Sequence, residues 1–237
     1  MLSDLLHKKG EFELKYTFPN LVSPALGSWL SLNCKIDKEY PESRVQSIYL
    51  ETLNADSYFE KINSDFFKTK FRVRWYEMAE KKGVQKEGDT AFFLEKKMKV
   101  GAKRLKNRWI YHTGKDKVDR MPLSSAYHQQ WHGLFAEKGG EDIPHFQPFI
   151  QISYIRKRFV DLFSGARLSL DFDIRVEKSN ELLLPPPTKT FLPMAVFEVK
   201  SSSDAPPQSL HFIIKNMVRK TNFSKYERCV SYLISNF

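Results

Sequence analysis

Glu11, Glu13 and Lys15 alternate with Phe12 and Leu14, so on an extended strand the charged side chains share one face. The same alternation returns along the chain, now mostly basic. Lys70, Arg72 and Arg74 stand opposite Phe71, Val73 and Trp75. Glu95, Lys97 and Lys99 come next, then Arg104, Lys106 and Arg108, then Arg156 and Arg158. Arg167, Ser169, Asp171, Asp173 and Arg175 follow, and last Glu198 and Lys200. Same-face neighbours on a strand lie about 6.7 Å apart, a step that lets successive side chains meet successive phosphates of a linear chain. Arginine offers phosphate a bidentate fork and lysine a mobile point charge. One such strand ordinarily turns its polar face to water. Strand after strand of like charge repels across a sheet unless an anion or interspersed carboxylates neutralise it. A sheet closed with these faces inward is a cationic pore suited to a polyanion.

The acids carry a second chemistry. Glu11, Glu13 and Glu198 stand among cations; each can pair with a neighbouring Lys or Arg. Together they also form a hard-oxygen set for Mg²⁺ or Mn²⁺. His128 and His132 are four apart on an expected helix but lack the intervening glutamate of a zinc-binding helix, and they are assigned to the surface.

The elements that must position these groups are mostly strands. Alternation marks strands over 11–17, 44–52, 67–77, 91–100, 103–112, 149–160, 166–177 and 194–200. Helices are expected from Ser23 (as cap, with Pro24 in the first turn) to Asn33, over 55–62 capped by Asn54, and over 122–135, 208–217 and 224–234. Lys81–Asp89 reads as a solvated hairpin loop, 137–144 as a Gly-containing connection, and Pro185–Pro187 as an extended linker. Many antiparallel-looking strands with few long crossovers predict an α+β fold around a closed or nearly closed sheet, in a single domain over 1–237.

The chain has 237 residues, 41% of them hydrophobic, enough for a core. A net charge of +10 makes an anionic partner the expectation. Cys34 and Cys229 are far apart and in no metal-ligand spacing, which suits reduced thiols in a cytoplasmic protein. The N-terminus lacks the apolar core of a signal peptide, and no apolar run approaches the roughly 20 residues needed to cross a bilayer.

Glu11-Phe-Glu-Leu-Lys15 resembles the ExExK signature of the CYTH, or triphosphate tunnel metalloenzyme, superfamily. Further segments resemble one branch of it, the polyphosphate polymerase (VTC) domain of the vacuolar transporter chaperone complex and its bacterial relatives. They are Ser47-Ile-Tyr-Leu-Glu-Thr52, Lys70-Phe-Arg-Val-Arg-Trp-Tyr76, Phe93-Leu-Glu-Lys-Lys97 and Lys103-Arg-Leu-Lys-Asn-Arg108. Tyr154-Ile-Arg156, Arg167-Leu-Ser-Leu-Asp171, Phe197-Glu-Val-Lys200 and Phe223-Ser-Lys-Tyr226 complete the set, in family order. The resemblance implies an eight-stranded antiparallel β-barrel tunnel with flanking helices. It makes Lys15, Arg72, Arg74, Lys97, Lys106, Arg156, Arg167 and Lys200 phosphate ligands of the wall, with Arg72, Arg74, Lys97, Arg156 and Arg167 acting in the chemistry. Glu198, with Glu13 and Glu11, would hold the metal, and Lys225 would reach in at one mouth.

The activity implied is transfer of the γ-phosphoryl of ATP to a growing inorganic polyphosphate, dependent on Mn²⁺ or Mg²⁺. Glu11 completes a pattern more typical of the hydrolytic members, so a tri- or polyphosphatase is the runner-up. A non-catalytic polyphosphate- or RNA-binding module is the third reading, disfavoured because nucleic-acid binders cluster their basic residues on an exposed patch. With no membrane-spanning segment or separate regulatory domain, product would be released in the cytosol unless a membrane partner is recruited. Arg158 falls where the family pattern asks for no base.

Overall fold

The computed structural model describes residues 12–78, 90–101, 103–140, 143, 145–187 and 191–235. The strands are β1 (Phe12–Pro19), β2 (Lys35–Ile36), β3 (Glu42–Glu51), β4 (Phe67–Met78), β5 (Thr90–Val100), β6 (Lys103–Thr113), β7 (Gln147–Val160), β8 (Arg167–Ser179), β9 (Met194–Ser201) and β10 (Arg219–Lys220). The helices are α1 (Ser23–Asn33), α2 (Asp56–Ile62), α3 (Lys115–Arg120), α4 (Ala126–Gly139), α5 (His211–Asn216) and α6 (Lys225–Ser235). The strands form one antiparallel sheet in the order β10-β1-β9-β8-β7-β3-β4-β5-β6, with the short β2 on β7.

The expected closed barrel is corrected to an open sheet: among the described residues, β1 and β6 do not pair. The reason lies in β10, which takes part of the outer edge of β1. Tyr16 pairs with Lys220 and Thr17 with Arg219, and Thr221 N donates to Lys15 O at 2.9 Å. Those backbone groups cannot also pair with β6. The two ends still meet through side chains, because Arg104 Nη1 lies 3.0 Å from Glu13 Oε2. The eight long strands from β1 to β6 are therefore curled, with one face turned inward.

The outer face is apolar and covered. Tyr16, Phe18, Leu168, Leu170, Phe197 and Val199 pack on Leu26 and Leu30, one turn apart on α1. Ile48, Leu50, Phe71, Val73, Trp75, Phe92 and Leu94 pack on Trp131 and Phe135, one turn apart on α4. Each large apolar side chain buried in this way contributes roughly 1.5–3 kcal/mol, so the apolar half of these strands faces a helix. The charged half is left facing inward.

The last helix takes a different position. Tyr226, Cys229, Val230 and Leu233 of α6 cluster with Val45, Tyr49, Tyr154, Ile174, Val176 and Val196, which alternate with the outer set. The helix therefore plugs one end of the inner face. The strand β8 adapts to it at Asp173, whose φ of 53° lies in the left-handed region that Asp tolerates better than most residues. Register shifts between β7 and β8 accompany this turn. Beyond it, Ile174 and Val176 face α6, so Asp173 and Arg175 do not continue the inward face of Arg167, Ser169 and Asp171 as simple alternation implies.

Local details depart from the sequence expectation at the helix starts. Ser23 lies inside α1 and caps nothing, although Pro24 sits in the first turn. Asn54 does not cap α2. The carboxylate of Glu51 does so, accepting from Ser57 N at 3.0 Å and Tyr58 N at 3.1 Å. The helix expected over 122–135 runs from Ala126 to Gly139, into the expected connection, and α3 precedes it. The whole of the expected Lys81–Asp89 loop and Glu11 lie outside the described residues. No helix among the described residues is long and apolar enough to cross a membrane.

Candidate phosphate-binding site on the inner face

Strand register collects the charged side chains on one face. Glu13 lies opposite Lys200, and Lys15 opposite Glu198. Arg167 lies opposite Lys200, Ser169 opposite Glu198, and Arg156 opposite Asp171. Arg74 faces Ser47, Arg72 faces Tyr49 and Glu95, and Lys97 faces both Lys70 and Lys106. Every expected site residue within the described region is therefore on this face, except Lys225, which reaches it from the first turn of α6.

Two carboxylate centres organise the cations. Glu95 is fully buried and receives Arg72 Nε at 2.6 Å, Arg108 Nη2 at 2.6 Å and the Lys106 ammonium. Burial alone would raise its pKa; Arg72, Arg74 and Lys106 outweigh that and hold it well below the carboxylate range. The second centre is Asp171 with Glu198. Asp171 Oδ2 lies 2.5 Å from both Arg156 Nη2 and Lys225 Nζ. Glu198 is contacted more loosely, by Lys225 at 3.3 Å, Arg156 at 3.4 Å and Lys15 at 3.5 Å. Burial pushes the Lys225 ammonium down, but Asp171 and Glu198 reverse this and hold it above its ordinary value.

Arg74 and Lys97 have no carboxylate partner among the described residues. Arg74 is buried and donates only to hydroxyls, to Ser47 Oγ at 3.0 Å and Tyr154 Oη at 3.1 Å. It forms no ion pair among the described residues, and neither does Lys97. Lys97 is exposed to solvent. The Arg72 charge, burial and the Arg74 charge hold its pKa well below the lysine range. Lys70 sits 4.6 Å from the Tyr226 ring centroid, and burial lowers it to about 8. Arg167 stands exposed at the start of β8.

The donor set for a metal is partly assembled. Lys15 Nζ lies 3.1 Å from Glu13 Oε1 and 3.5 Å from Glu198 Oε1, so an ammonium bridges the two carboxylates. Carboxylates are hard oxygen donors, the ligand type that Mg²⁺ and Mn²⁺ take. No group of three or more potential ligands is spaced for a metal among the described residues.

Sequence reasoning left out the anchoring role of Glu95 and Asp171, although both lie at strand period with their partners. His128 was expected at the surface. It is instead fully buried, accepting from Trp131 Nε1 at 3.1 Å with its Nε2 3.3 Å from Met121 O. A groove of about 610 Å³ beside α1, lined by Ser28, Ser31, Leu32 and Lys157, lies on the outer face away from these groups.

Three solved structures overlap the chain at low similarity. A conserved hypothetical protein from Pyrococcus furiosus is 14% identical, with 83% of this chain and 82% of that one covered, at a TM-score of 0.40. A protein from Bacillus halodurans described provisionally as an adenylate cyclase is 13% identical, with 96% and 88% covered, at 0.40. The Mediator head module of Schizosaccharomyces pombe is 10% identical, with 95% and 92% covered, at 0.37. Overlaps this loose say nothing about chemistry. No curated protein matches. The family model of the VTC domain, in contrast, matches residues 11–234 and so spans the whole inner face with both carboxylate centres and α6. The chain belongs to the VTC domain family.

Proposed function

We propose that the protein is a polyphosphate polymerase, transferring the γ-phosphoryl of ATP to the end of an inorganic polyphosphate held on the inner face as in a tunnel. The observation that carries this reading is the pair Arg74 and Lys97, inward cations without a carboxylate partner. Burying Arg74 without an anion is costly, and Lys97, exposed beside Arg72 and Arg74, is repelled by both until an anion joins them. A row of phosphates supplies one at each step along the strands.

The reaction needs no side-chain nucleophile. A terminal oxygen of the polyphosphate attacks the γ-phosphorus, the bond to the β-phosphate oxygen breaks, and ADP leaves. Arg72, Arg74, Arg156, Arg167 and Lys97 stabilise charge on the transferring group, while Lys15, Lys106, Lys200 and Lys225 hold the flanking phosphates. A phosphate beside Lys97 offsets the Arg72 and Arg74 charges that lower its pKa. Glu198 with Glu13 would hold Mn²⁺ or Mg²⁺, joined by Glu11, which precedes Glu13 on the same strand period; the metal, when bound, would neutralise phosphate oxygens. Glu13 lying beside Glu198 across Lys15 also favours a second reading, hydrolysis of tri- or polyphosphate.

Incubation with ATP and Mn²⁺, with products resolved on a gel that retains long phosphate chains, tests the proposal. Long chains with stoichiometric ADP are expected, lost on chelation and reduced about 100-fold or more in Glu198→Gln. Orthophosphate released from tripolyphosphate without chain growth would establish the hydrolase instead.

A further inference from the structure

The two ends of the inner face differ in chemistry. At one end α6 plugs the sheet, and Lys70 lies over Tyr226. Six residues along β4 from Lys70, about 20 Å at strand rise, the face ends in aromatic rings. Tyr76 and Phe93 meet edge to face with centroids 5.7 Å apart. Arg158 places its guanidinium 5.6 Å from the Tyr76 centroid and 5.7 Å from that of Tyr40. Tyr40 is 47% exposed and Ile110, opposite Phe93, is 54% exposed, so apolar and aromatic surface is left open to solvent at this rim.

The cluster is also held rigid. Asp37 Oδ1 accepts from Glu39 N at 3.0 Å and Tyr40 N at 2.9 Å, fixing the turn that carries Tyr40. Arg158 Nη1 donates to Tyr40 O and to Ser43 Oγ, both at 3.2 Å, and Arg158 N donates to Pro41 O at 3.0 Å. Arg158 forms no ion pair among the described residues. It stands one same-face step outside Arg156, about 6.7 Å, within reach of the nucleoside end of a triphosphate gripped at Arg156 and Arg74.

We propose that Tyr40, Tyr76, Phe93 and Arg158 form a nucleobase platform, so that a nucleoside triphosphate enters base-outward at the end opposite α6. This rests on the polymerase reading and adds the direction in which the substrate lies. Aromatic faces and stacked guanidinium planes bind bases without reading their edges, so the platform separates nucleotides from inorganic phosphates rather than one base from another.

Calorimetric titration of the full chain with ATP and, separately, with inorganic tripolyphosphate tests it. In Tyr40→Ala and Arg158→Ala, ATP affinity is expected to fall about five- to tenfold, while tripolyphosphate affinity changes less than twofold. Tyr40→Phe retains the ATP affinity. Equal losses for both ligands would make Arg158 a phosphate ligand or the cluster a structural rivet, and no loss for either would remove the platform; both outcomes overturn the proposal. Wild-type protein that binds neither ligand defeats the polymerase reading itself, a result distinct from failure of the platform alone.

Discussion

Lys225, at the start of α6, places Nζ 2.5 Å from Asp171 Oδ2 on β8 and 3.3 Å from Glu198 Oε1 on β9, so its shortest ion pair joins the plug to β8. Asp171 is fully buried and also anchors Arg156 through both carboxylate oxygens, at 2.5 Å each. The carboxylate thus sets the positions of two proposed phosphate ligands at once.

Removing that charge leaves both cations only their longer contacts to Glu198. Asp171→Asn is expected to cost about 3 kcal/mol, a fall in Tm on the order of 10 °C for a chain of this size. Adding tripolyphosphate restores more of the Tm in this variant than in the wild type, because the anion replaces the lost charge. Thermal unfolding with and without the ligand measures both effects.

Arg74 gives the opposite sign for stability. Its buried charge has hydroxyl partners only, so Arg74→Met is expected to raise the stability of the ligand-free protein by about 1 kcal/mol or more. The same change removes a charged donor from the transferring phosphate and should lower turnover by about 100- to 1,000-fold. Denaturant unfolding read beside the polymerisation assay separates the two. A variant that loses stability and activity in parallel would place Arg74 in the scaffold.

The lowered lysines make binding depend on pH. Burial holds Lys70 and Lys106 at about 8, and Lys97 lies well below its ordinary value. A bound polyanion raises all of them, so binding takes up protons, and affinity for tripolyphosphate declines as pH rises from 7 to 9.5. In the ligand-free protein the sign reverses. Between about pH 8 and 10.5 the unfolded chain binds the proton that folded Lys70 has lost, so this group adds stability as pH rises through that window. Calorimetry in buffers of different ionisation enthalpy reads the proton uptake directly.

His128 governs the acid side. Burial pushes its pKa down from 6.5 to about 4, with Lys178 adding to the shift against the Met121 carbonyl. The stability it contributes is present above pH 6.5 and lost as pH falls towards 4, on the order of 3 kcal/mol in total. His128→Gln is expected to flatten the decline of Tm between pH 6.5 and 4.5; an unchanged slope would assign acid unfolding to other groups.

The sequence by itself determined which side chains could bind phosphate and that they share strand faces. Period-2 alternation is a local property: Arg72 and Arg74 must point away from Phe71, Val73 and Trp75 on any extended strand. It failed where the backbone departs from simple alternation, at Asp173, because a single residue at positive φ re-aims everything beyond it. Only the tertiary structure decided which acid neutralises which base. Glu13 and Arg104 meet because the sheet curls its ends together, and Asp171 meets Lys225 because α6 packs into one end. Tyr40 and Tyr76 likewise come from separate segments that only folding sets about Arg158. Open closure has the same origin, since β10 competes for the edge of β1 through backbone groups that every residue carries alike. Charge and period are written residue by residue; partnership depends on long-range packing, and that is where Arg74 and Lys97 come to lie on the inner face with no carboxylate partner among the described residues.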